Sequence, residues 1–338
     1  MIDLLVAGGG PAGLVTALHA ARAGLSVTVI ERRRPPIDKA CGEGMMPYTV
    51  EQLGKLGITP PGKPFLGVTY LDSTRCVDAP FRAGPGLGVR RTALHSTLMD
   101  AVSAAGVDVV TAHVGSISQD AESVQAGGFR ARYLAAADGL HSPIRRSLGL
   151  ARPSRGSRRW GLRRHVRTAP WSERVEVYWG DGAEAYVTPV ADDCVGIAIL
   201  TARQGSFESR LAEFGPLRDR LNGHTHGPER AAGPLRQRVA GRTAGRVMLV
   251  GDAAGYVDAL TGEGLGIAFG GAELLVNCVL AERPGDYDRQ WRKMSRRYRL
   301  LTAGLLHAVE HRPTRSAIMP AAAAVPSGFT RIVNLLAY

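Results

Sequence analysis

Residues 1–31 read MIDLLVAGGGPAGLVTALHAARAGLSVTVIE, and this stretch decides the fold. The apolar run from Met1 to Ala7 predicts a short buried strand that stops at the glycine turn Gly8–Gly13. A helix from Leu14 to Ala23 follows, and Ser26–Ile30 predicts a second strand with Glu31 at its tip. This order of strand, turn, helix, strand and acid predicts a Rossmann-type nucleotide-binding unit.

The turn has the spacing GxGxxG, in which each glycine has a separate task. Gly8 allows the tight turn, Gly10 lets backbone amides approach a pyrophosphate, and Gly13 lets the helix pack closely on the strand. The phosphates would lie at the helix N-terminus, where free N–H groups favour anions. Glu31 would accept a hydrogen bond from a ribose hydroxyl and would repel a 2′-phosphate. We therefore expect this unit to bind the adenosine of FAD or NAD.

The chain has 338 residues and a formal net charge of +12, so a basic surface needs an explanation. The length predicts two intermeshed domains. We interpret the arginines as a solvated surface; the alternatives are attraction of an anionic substrate, an NADPH phosphate or an acidic carrier protein. We expect no nucleic-acid partner, because no such binding motif is present. The densest basic stretch contains Arg155, Arg158, Arg159, Arg163, Arg164 and Arg167.

The sequence also gives expectations about location and metals. No basic segment precedes the first strand, and no apolar run is long enough to span a bilayer, so we expect neither a signal peptide nor a transmembrane helix. Contact with a membrane surface stays open. The four cysteines are far apart and lack ligand spacing, which favours reduced thiols in a cytoplasmic protein and no metal site. The oligomeric state cannot be read from the sequence.

Two further glycine-containing strand ends lie downstream of the first turn. The first is Asp138-Gly139, where Ser142 and Arg145 are placed to cap and open a helix. The second is Gly251-Asp252, which ends the apolar run Gly245–Val250. Ten residues later, Thr261–Gly266 opens a helix from Ile267 to about Ala281. Glycines also flank Glu43 in the segment 38–47, which predicts a loop beside the ligand.

The remaining segments are predicted from periodicity and turn residues. Residues 158–202 contain short β-rich runs that predict an antiparallel sheet in a second domain. The expected division is 1–66, 84–150 and 238–311 for the nucleotide domain, 67–83 and 151–237 for the β-rich domain, and 312–338 as a loosely ordered C-terminal segment. Other expected elements are a helix at 48–57, a hairpin of Gly67–Leu71 and Arg75–Phe81, a hinge at Gly84–Gly88, a helix from Arg90 to Gly106, strands at Val107–Ala112, Val114–Ile117 and Phe129–Ala137, and a basic helix at 286–311.

Taken together, the three motifs resemble the flavoprotein superfamily built like p-hydroxybenzoate hydroxylase. The order and separation of the motifs match over nearly the whole chain. The loop with Cys41-Gly42 and the segment Thr261–Gly266 look like the geranylgeranyl reductase branch of that superfamily. The resemblance implies an α/β fold: a Rossmann-like FAD-binding domain of the glutathione reductase or p-hydroxybenzoate hydroxylase type, with an antiparallel β-sheet substrate domain. It also implies FAD as the cofactor and NAD(P)H as a reductant that docks transiently.

The same resemblance implies roles for individual residues around FAD. Ala12 and Gly13 would lie at the pyrophosphate, and Glu31 at the adenosine ribose. Arg91 would contact the cofactor, and the backbone of Val114 would lie near adenine. Asp252 would accept a hydrogen bond from a ribityl hydroxyl. The remaining members of the implied cofactor set are Gly8, Gly10, Cys41, Gly42 and Asp138, with Gly264 and Leu265 offering backbone amides to the flavin ring.

The reaction is less well specified than the cofactor. We expect first a monooxygenase that acts on an apolar, aromatic or polyketide-like small molecule through a flavin hydroperoxide. Reduction of a carbon–carbon double bond is the alternative, and a flavin-binding protein without its own substrate is a third class. The chain departs from the YxWxFP segment of the reductase branch, because residues 184–189 read EAYVTP. Candidate catalytic residues are Cys41, Glu43 and Tyr186.

Overall fold

The computed structural model describes residues 1–154, 156 and 158–337 of the chain. The N-terminal part contains β1 (Ile2–Ala7), α1 (Pro11–Arg22), β2 (Val27–Glu31), β3 (Gly44–Met45), α2 (Pro47–Lys55), β4 (Lys63–Phe65), β5 (Gly67–Leu71), β6 (Cys76–Pro80), β7 (Gly86–Gly88), α3 (Arg91–Ala104), β8 (Asp108–Thr111), β9 (Ser118–Gln119), β10 (Val124–Ala126), β11 (Phe129–Ala136) and α4 (Pro143–Ser147).

The rest of the described chain supplies a second set of elements. These are β12 (Ala151–Arg152), β13 (Trp160–Arg167), β14 (Val175–Trp179), β15 (Ala183–Ala191), β16 (Cys194–Thr201), α5 (Phe207–Leu211), α6 (Gly215–Leu221), β17 (Arg230–Ala232), β18 (Arg238–Val239), β19 (Thr243–Ala244), β20 (Val247–Leu249), α7 (Gly264–Leu280), α8 (Tyr287–Met294), α9 (Arg296–Glu310), α10 (Arg312–Ala324) and α11 (Pro326–Leu336).

The first sheet is parallel at its centre, in the order β20-β11-β1-β2-β8. Leu4, Leu5 and Val6 of β1 are fully buried, because helices α1, α3 and α7 cover this sheet. Parallel strands bring their carboxyl ends to one edge, so the loops after β1, β2, β11 and β20 meet there. This confirms the expected Rossmann-like part of the fold.

The second sheet has the order β17-β13-β16-β15-β14-β5-β6, and its strands pair antiparallel except for β5 with β14. Its two faces differ in what covers them. One face, with Leu162, Val187 and Ile199, packs on Phe207 and Leu217 of α5 and α6. The opposite face, which we call the site face, turns toward the nucleotide domain. From β13, β16, β15 and β14 it carries Arg163, His165, Gly196, Ala198, Leu200, Glu184, Tyr186, Thr188, Val177 and Trp179.

The C-terminal segment corrects one expectation. Residues 312–338 were expected to be loosely ordered, but α10 and α11 occupy most of them. Pro326 stands in the first turn of α11, where the missing N–H has no intrahelical partner to lose. Val333 of α11 packs against Phe65, and Met319 of α10 packs against Val77. These helices therefore cover the outer strands of the second sheet.

Three smaller expectations are also wrong. No strand forms over Val114–Ile117, where Gly115 adopts a φ of 64°. The expected hinge at Gly84–Gly88 contributes β7, which pairs with β3 and β4. The basic stretch is not simply a solvated surface, since Arg159 and Arg163 are only 5% and 2% exposed. Arg159 pairs with the buried Glu184 and Arg163 with the half-buried Asp38, and Arg155 lies outside the described residues.

Candidate functional site

The glycine turn packs as its spacing predicts. Gly8 has a φ of 114°, and a Cβ there would lie 2.4 Å from the carbonyl oxygen of Ala137. A Cβ at Gly13 would lie 1.8 Å from the carbonyl oxygen of Gly8. Larger residues at either position would push the turn, α1 and the loop after β11 apart. The turn and the Asp138-Gly139 motif are therefore direct neighbours.

Gly10 differs because space is open beside it. A Cβ at Gly10 would approach only Nη2 of Arg91, at 3.9 Å. Arg91 is 8% exposed, and its Nη1 has no hydrogen-bond partner among the described residues. The first turn of α1 also leaves N–H groups without intrahelical partners. An unpaired guanidinium and free amides around an open space fit the pyrophosphate of a dinucleotide.

Glu31 ends β2 beside this turn. Its Oε2 accepts a hydrogen bond of 2.9 Å from the N–H of Gly9, and its Oε1 pairs with Nε of Arg33 at 3.0 Å. Burial opposes ionisation, but the hydrogen bonds from Arg33 still hold the pKa of Glu31 below its ordinary value. A carboxylate here can accept a ribose hydroxyl. Val114 lies near the end of β2, because its carbonyl oxygen accepts a hydrogen bond from the N–H of Gly127, and Gly127 lies beside the Ile30 side chain. The position of Val114 at the adenine ring stays a prediction.

Arg145 joins the second and third motifs. Ser142 Oγ accepts the backbone N–H of Arg145 at 2.8 Å and so caps α4, as predicted. The guanidinium is 2% exposed and donates to the carbonyl oxygens of Ala253 at 3.0 Å and Leu140 at 2.8 Å. This buried fork fixes the Asp138 loop against the Asp252 loop. The sequence identified Arg145 as a helix opener but not as this link.

Two acids face the edge where the three motifs meet. Asp138 accepts the N–H of Ile144 with one oxygen, and its other oxygen, Oδ1, has no hydrogen-bond partner among the described residues. Asp252 pairs with Nζ of Lys39 at 3.2 Å, a contact that the sequence did not indicate. An unpaired acid oxygen and a half-buried acid fit the hydroxyl-rich ribityl chain of FAD. Gly251 also approaches Ala12, because its Cβ would lie 2.7 Å from the Ala12 Cβ.

The loop with Cys41 and Gly42 lies between the nucleotide domain and the second sheet. Thr188 Oγ1 on the site face donates to the carbonyl oxygen of Gly42 at 2.9 Å. Burial raises the pKa of the Cys41 thiol, so Cys41 stays a neutral thiol and not a thiolate nucleophile. The structure therefore brings the Cys41 loop to the site face, as a cofactor loop requires.

Glu43 has the densest set of contacts in this loop. It is 3% exposed, and its φ of 59° turns the side chain toward the site face. Its Oε1 accepts the N–H of Arg91 at 2.7 Å, and its Oε2 lies 2.6 Å from Nε2 of His165. Arg163 approaches Glu43 at 3.9 Å and also pairs with Asp38. Sequence reasoning missed His165 and Arg163; the signal was their alternation with Leu162 and Val166 along β13.

Tyr186 lies at the other end of the site face. Its hydroxyl donates to the carbonyl oxygen of Leu260 at 3.1 Å, and the chain reaches the first turn of α7 four residues later. Burial raises the pKa of Tyr186 well above its ordinary value, so the hydroxyl keeps its proton. α7 begins at Gly264, three residues before the predicted start at Ile267, so Gly264 and Leu265 lie in its first turn, and Tyr256 packs against Gly264. Cys41, Glu43 and Tyr186 therefore all border one face of the sheet.

None of the helices in the described part of the chain combines the length and apolarity needed to cross a membrane.

Comparison with known proteins agrees with this geometry. Residues 1–285 match the FAD binding domain family. Over 313 aligned residues the chain is 30% identical to menaquinone reductase of Mycobacterium tuberculosis, covering 78% of this chain and 72% of that protein. It is 26% identical to chloroplastic geranylgeranyl diphosphate reductase of Oryza sativa subsp. japonica over 316 residues, covering 83% of this chain and 66% of that protein.

Solved structures show the same fold. The flavoprotein/dehydrogenase of Cytophaga hutchinsonii superposes with a TM-score of 0.80 at 20% identity, covering 99% of this chain and 92% of that one. Because the family match spans most of the chain and a relative at 30% identity aligns along most of its length, the chain is an FAD-dependent oxidoreductase that belongs to the FAD binding domain family, in the p-hydroxybenzoate hydroxylase-like superfamily.

Proposed function

We propose that the chain is an FAD-dependent carbon–carbon double-bond reductase that acts on an apolar, isoprenoid-type substrate. The names of the two relatives, a menaquinone reductase and a geranylgeranyl diphosphate reductase, support this choice. The observation that carries it is the Tyr186 hydroxyl, a proton donor that lies among apolar side chains beside the first turn of α7, 3.1 Å from the carbonyl oxygen of Leu260. Hydride addition to a double bond needs such a proton.

The substrate would lie along the site face of the second sheet. Near Tyr186 this face is lined by Leu140, Leu200 and Leu235. On its other side, Tyr186 packs with a second apolar group that includes Phe65, Val177 and Val333 of α11. The two apolar groups meet at Tyr186, and apolar surroundings of this kind favour an elongated hydrocarbon over a polar metabolite.

The residues around the cofactor would divide three tasks. Arg91 and the free amides of α1 hold the pyrophosphate, and Asp138 and Asp252 hold the sugar and ribityl hydroxyls. The first amides of α7, at Gly264 and Leu265, would donate to the flavin ring and would stabilise its negative charge in the reduced cofactor. FAD, once reduced by transiently docked NAD(P)H, supplies a hydride to one carbon of the double bond.

Tyr186 would complete the reaction. It holds a proton at its hydroxyl and transfers it to the second carbon, so that the substrate gains one hydride and one proton and the electron count is balanced. Solvent then reprotonates the tyrosine. Glu43 and His165 would act as positioning residues, because they fix the Cys41 loop against the site face. No metal is required for this chemistry.

Monooxygenation of an aromatic or polyketide-like substrate is the second candidate. The observation in its favour is the aromatic lining of the outer site face, where Tyr70 stacks on Trp179 with ring centroids 6.2 Å apart. An apolar, aromatic lining also excludes water from oxygen chemistry. This candidate needs dioxygen as a second substrate, which makes the two reactions separable.

The test is a product comparison under argon and in air. FAD-loaded protein is mixed with NADH or NADPH and with geranylgeranyl diphosphate, which has no quinone ring to reduce, or 1-naphthol, and the masses of the products are measured by mass spectrometry. We expect a polyprenyl substrate to gain two hydrogen atoms under argon. Products that gain an oxygen atom, and form only in air, would replace the reductase with the monooxygenase.

A further inference from the structure

Three charged residues form a second buried cluster on the site face, at the end opposite Glu43. Arg159, Glu184 and Asp258 are 5%, 0% and 2% exposed. Arg159 Nη2 donates to Glu184 Oε2, and Arg159 Nη1 lies 3.6 Å from Asp258 Oδ1. Arg315 of α10 faces Glu184 from the C-terminal side, where it donates to the carbonyl oxygens of Gly180 and Ala183. The reaction proposed above does not use this cluster.

Two polar atoms of the cluster lack a hydrogen bond within the described part of the chain. Among the described residues, Arg159 Nη1 has no hydrogen-bond acceptor and Glu184 Oε1 has no hydrogen-bond donor. Both side chains are more than nine-tenths buried, so each missing hydrogen bond is destabilising. Burial raises the pKa of Glu184, although Arg159 opposes the shift. A group that paired with both atoms would remove this penalty.

The position of Glu184 places the cluster next to the substrate space. Glu184 and Tyr186 are two residues apart on β15, so their side chains share the site face. Leu200, directly opposite Glu184 on β16, belongs to the apolar group around Tyr186. The amide of Leu235 in that same group donates to the carbonyl oxygen of Arg159. Arg159 Nη1 and Glu184 Oε1 thus adjoin the apolar lining.

We propose that Arg159 and Glu184 bind a hydroxyl group carried at one end of an otherwise apolar substrate. A hydroxyl oxygen accepts from Arg159 Nη1 while its proton is donated to Glu184 Oε1, so one group satisfies both atoms. A carbonyl or ether oxygen would pair only with the arginine, and an ammonium group would pair only with the glutamate. This inference rests on the proposed function, because that function places the substrate on the same sheet face.

Glu184 lies in a segment that departs from the resembling reductase branch. Residues 184–189 read EAYVTP, in place of the YxWxFP segment of the resembling reductase branch. Glu184 therefore stands where that segment begins with tyrosine. A buried carboxylate at this position selects for a hydrogen-bond donor, and a substrate without one leaves the carboxylate unpaired.

The first experiment measures binding and not turnover. Oxidised, FAD-loaded protein is equilibrated by dialysis with 1-naphthol and, separately, with 1-methylnaphthalene, which replaces the hydroxyl with a methyl group of similar size. We expect 1-naphthol to bind about tenfold to a hundredfold more tightly. Equal affinities would overturn the proposal, because they would mean that water pairs with these atoms. Failure of both probes to bind would overturn it as well.

Variants then locate the source of the preference. In Glu184→Gln the amide oxygen can still accept a hydrogen bond from Arg159 Nη2. The NH₂ group then lies where the hydroxyl proton of 1-naphthol needs an acceptor. The affinity ratio of 1-naphthol to 1-methylnaphthalene should therefore fall to about threefold or less. Glu176→Gln is the matched control: Glu176 is a buried glutamate on the opposite face, where it accepts from Trp171 and Tyr178. It should keep the full preference.

The outcomes separate this inference from the proposed reaction. FAD content and circular dichroism report whether each variant is folded. If Glu184→Gln does not fold, the affinity ratio of the two probes measured with the wild-type protein decides whether the hydroxyl site exists. A clear naphthol preference that depends on Glu184, in a protein that reduces no double bond, would keep this site and reject the reductase. Double-bond reduction without any naphthol preference would do the reverse.

Discussion

Glu43 Oε2 lies 2.6 Å from His165 Nε2, and this hydrogen bond joins the Cys41 loop to the second sheet. The other ring nitrogen of His165 lies 3.1 Å from Nη1 of Arg163. Arginine can only donate, so this nitrogen must accept, and the single ring proton is on Nε2. His165 therefore donates from Nε2 to Glu43 Oε2, and the other side-chain oxygen of Glu43 accepts the amide N–H of Arg91.

The first prediction follows from these fixed donor and acceptor roles of His165 and Glu43. Glutamine at position 43 could keep its bond to the Arg91 amide, but its NH₂ group would then face the N–H of His165. Flipping the tautomer would place the other N–H against Arg163. We expect Glu43→Gln to lower the free energy of unfolding by about 1–3 kcal/mol and to weaken FAD retention. Urea unfolding and FAD dialysis measure the two effects.

Glu208→Gln is the control for that change. Glu208 pairs with Arg164 on the opposite face of the sheet, and its side chain is 60% exposed. Loss of the Glu208–Arg164 ion pair should change the free energy of unfolding by less than about 0.5 kcal/mol. If Glu43→Gln were as mild as Glu208→Gln, the Glu43–His165 contact would not hold the loop.

The second prediction concerns the proton donor. Tyr186→Phe removes one oxygen atom and should lower the rate of double-bond reduction about 10²–10⁴-fold, with FAD binding unchanged. Because the pKa of Tyr186 is raised well above its ordinary value, the donor stays protonated as the pH rises, so the wild-type rate should show no loss from tyrosine ionisation between pH ~6 and ~10.

Tyr178→Phe provides the comparison, since Tyr178 donates to Glu176 on the face covered by α5 and α6. Single-turnover rates of both variants under argon are the measurement. Equal rates for Tyr186→Phe and Tyr178→Phe would remove Tyr186 from the reaction.

The third prediction separates cofactor binding from folding. Gly10→Ala meets no atom closer than 3.9 Å, so the protein should fold, but the added methyl group would occupy the space left for the pyrophosphate. We expect at least about tenfold weaker FAD binding, a loss near 1.4 kcal/mol. Gly13→Ala should instead fail to fold, because its Cβ would lie 1.8 Å from the carbonyl oxygen of Gly8.

Gly54→Ala serves as the control for both glycine variants. Gly54 lies inside α2 with no atom within 4 Å of a Cβ, so alanine should stabilise the helix by about 0.5–1 kcal/mol and leave FAD binding unchanged. Flavin fluorescence titration and thermal unfolding give both quantities. Full FAD affinity in Gly10→Ala would mean that the pyrophosphate lies elsewhere.

The fourth prediction is a pH dependence of stability caused by Glu263. Burial raises the pKa of Glu263 from an ordinary value of 4.5 to about 9. Between these values the folded protein holds a proton that the unfolded chain releases. The free energy of unfolding therefore falls as the pH rises through this range, by up to about 1.4 kcal/mol per pH unit. The stabilisation is complete below pH ~4.5 and lost above pH ~9.

Glu263→Gln should flatten that dependence, since glutamine does not titrate. Urea unfolding of the FAD-loaded protein at several pH values between 5 and 9 measures it. Glu273→Gln, an exposed position on α7, should retain the wild-type slope. A wild type and a Glu263→Gln variant with the same slope would show that Glu263 does not titrate in the folded protein above its ordinary range.

Local patterns were enough to predict the nucleotide unit. The strand, glycine turn and helix at residues 2–22 follow from apolar runs and GxGxxG spacing, and Glu31 lies at the end of β2 as predicted. The cap of α4 could be predicted for the same reason, because Ser142 and the Arg145 N–H that it accepts are only three residues apart. Interactions over short sequence distances leave a readable signal.

Pairs formed over long sequence distances could not be predicted in this way. Glu43 and His165 are 122 residues apart, and Arg159 and Asp258 meet only after two loops fold onto the second sheet. The charged residues of β13 were interpreted as a solvated surface, although their alternation with Leu162 and Val166 is typical of one face of a sheet. Which face is buried depends on the domain opposite, and no local pattern in β13 reports that.

The central claim is that reduced FAD in this protein passes its electrons to a carbon–carbon double bond. The direct measurement mixes photoreduced, FAD-loaded protein with geranylgeranyl diphosphate, a polyprenyl substrate without a quinone ring, in a stopped-flow instrument under argon, and quantifies product by mass spectrometry. We predict that FAD returns to its oxidised spectrum with an equimolar amount of substrate gaining two hydrogen atoms. FAD that stays reduced with every polyprenyl substrate, and reoxidises only when air is admitted, would contradict the account.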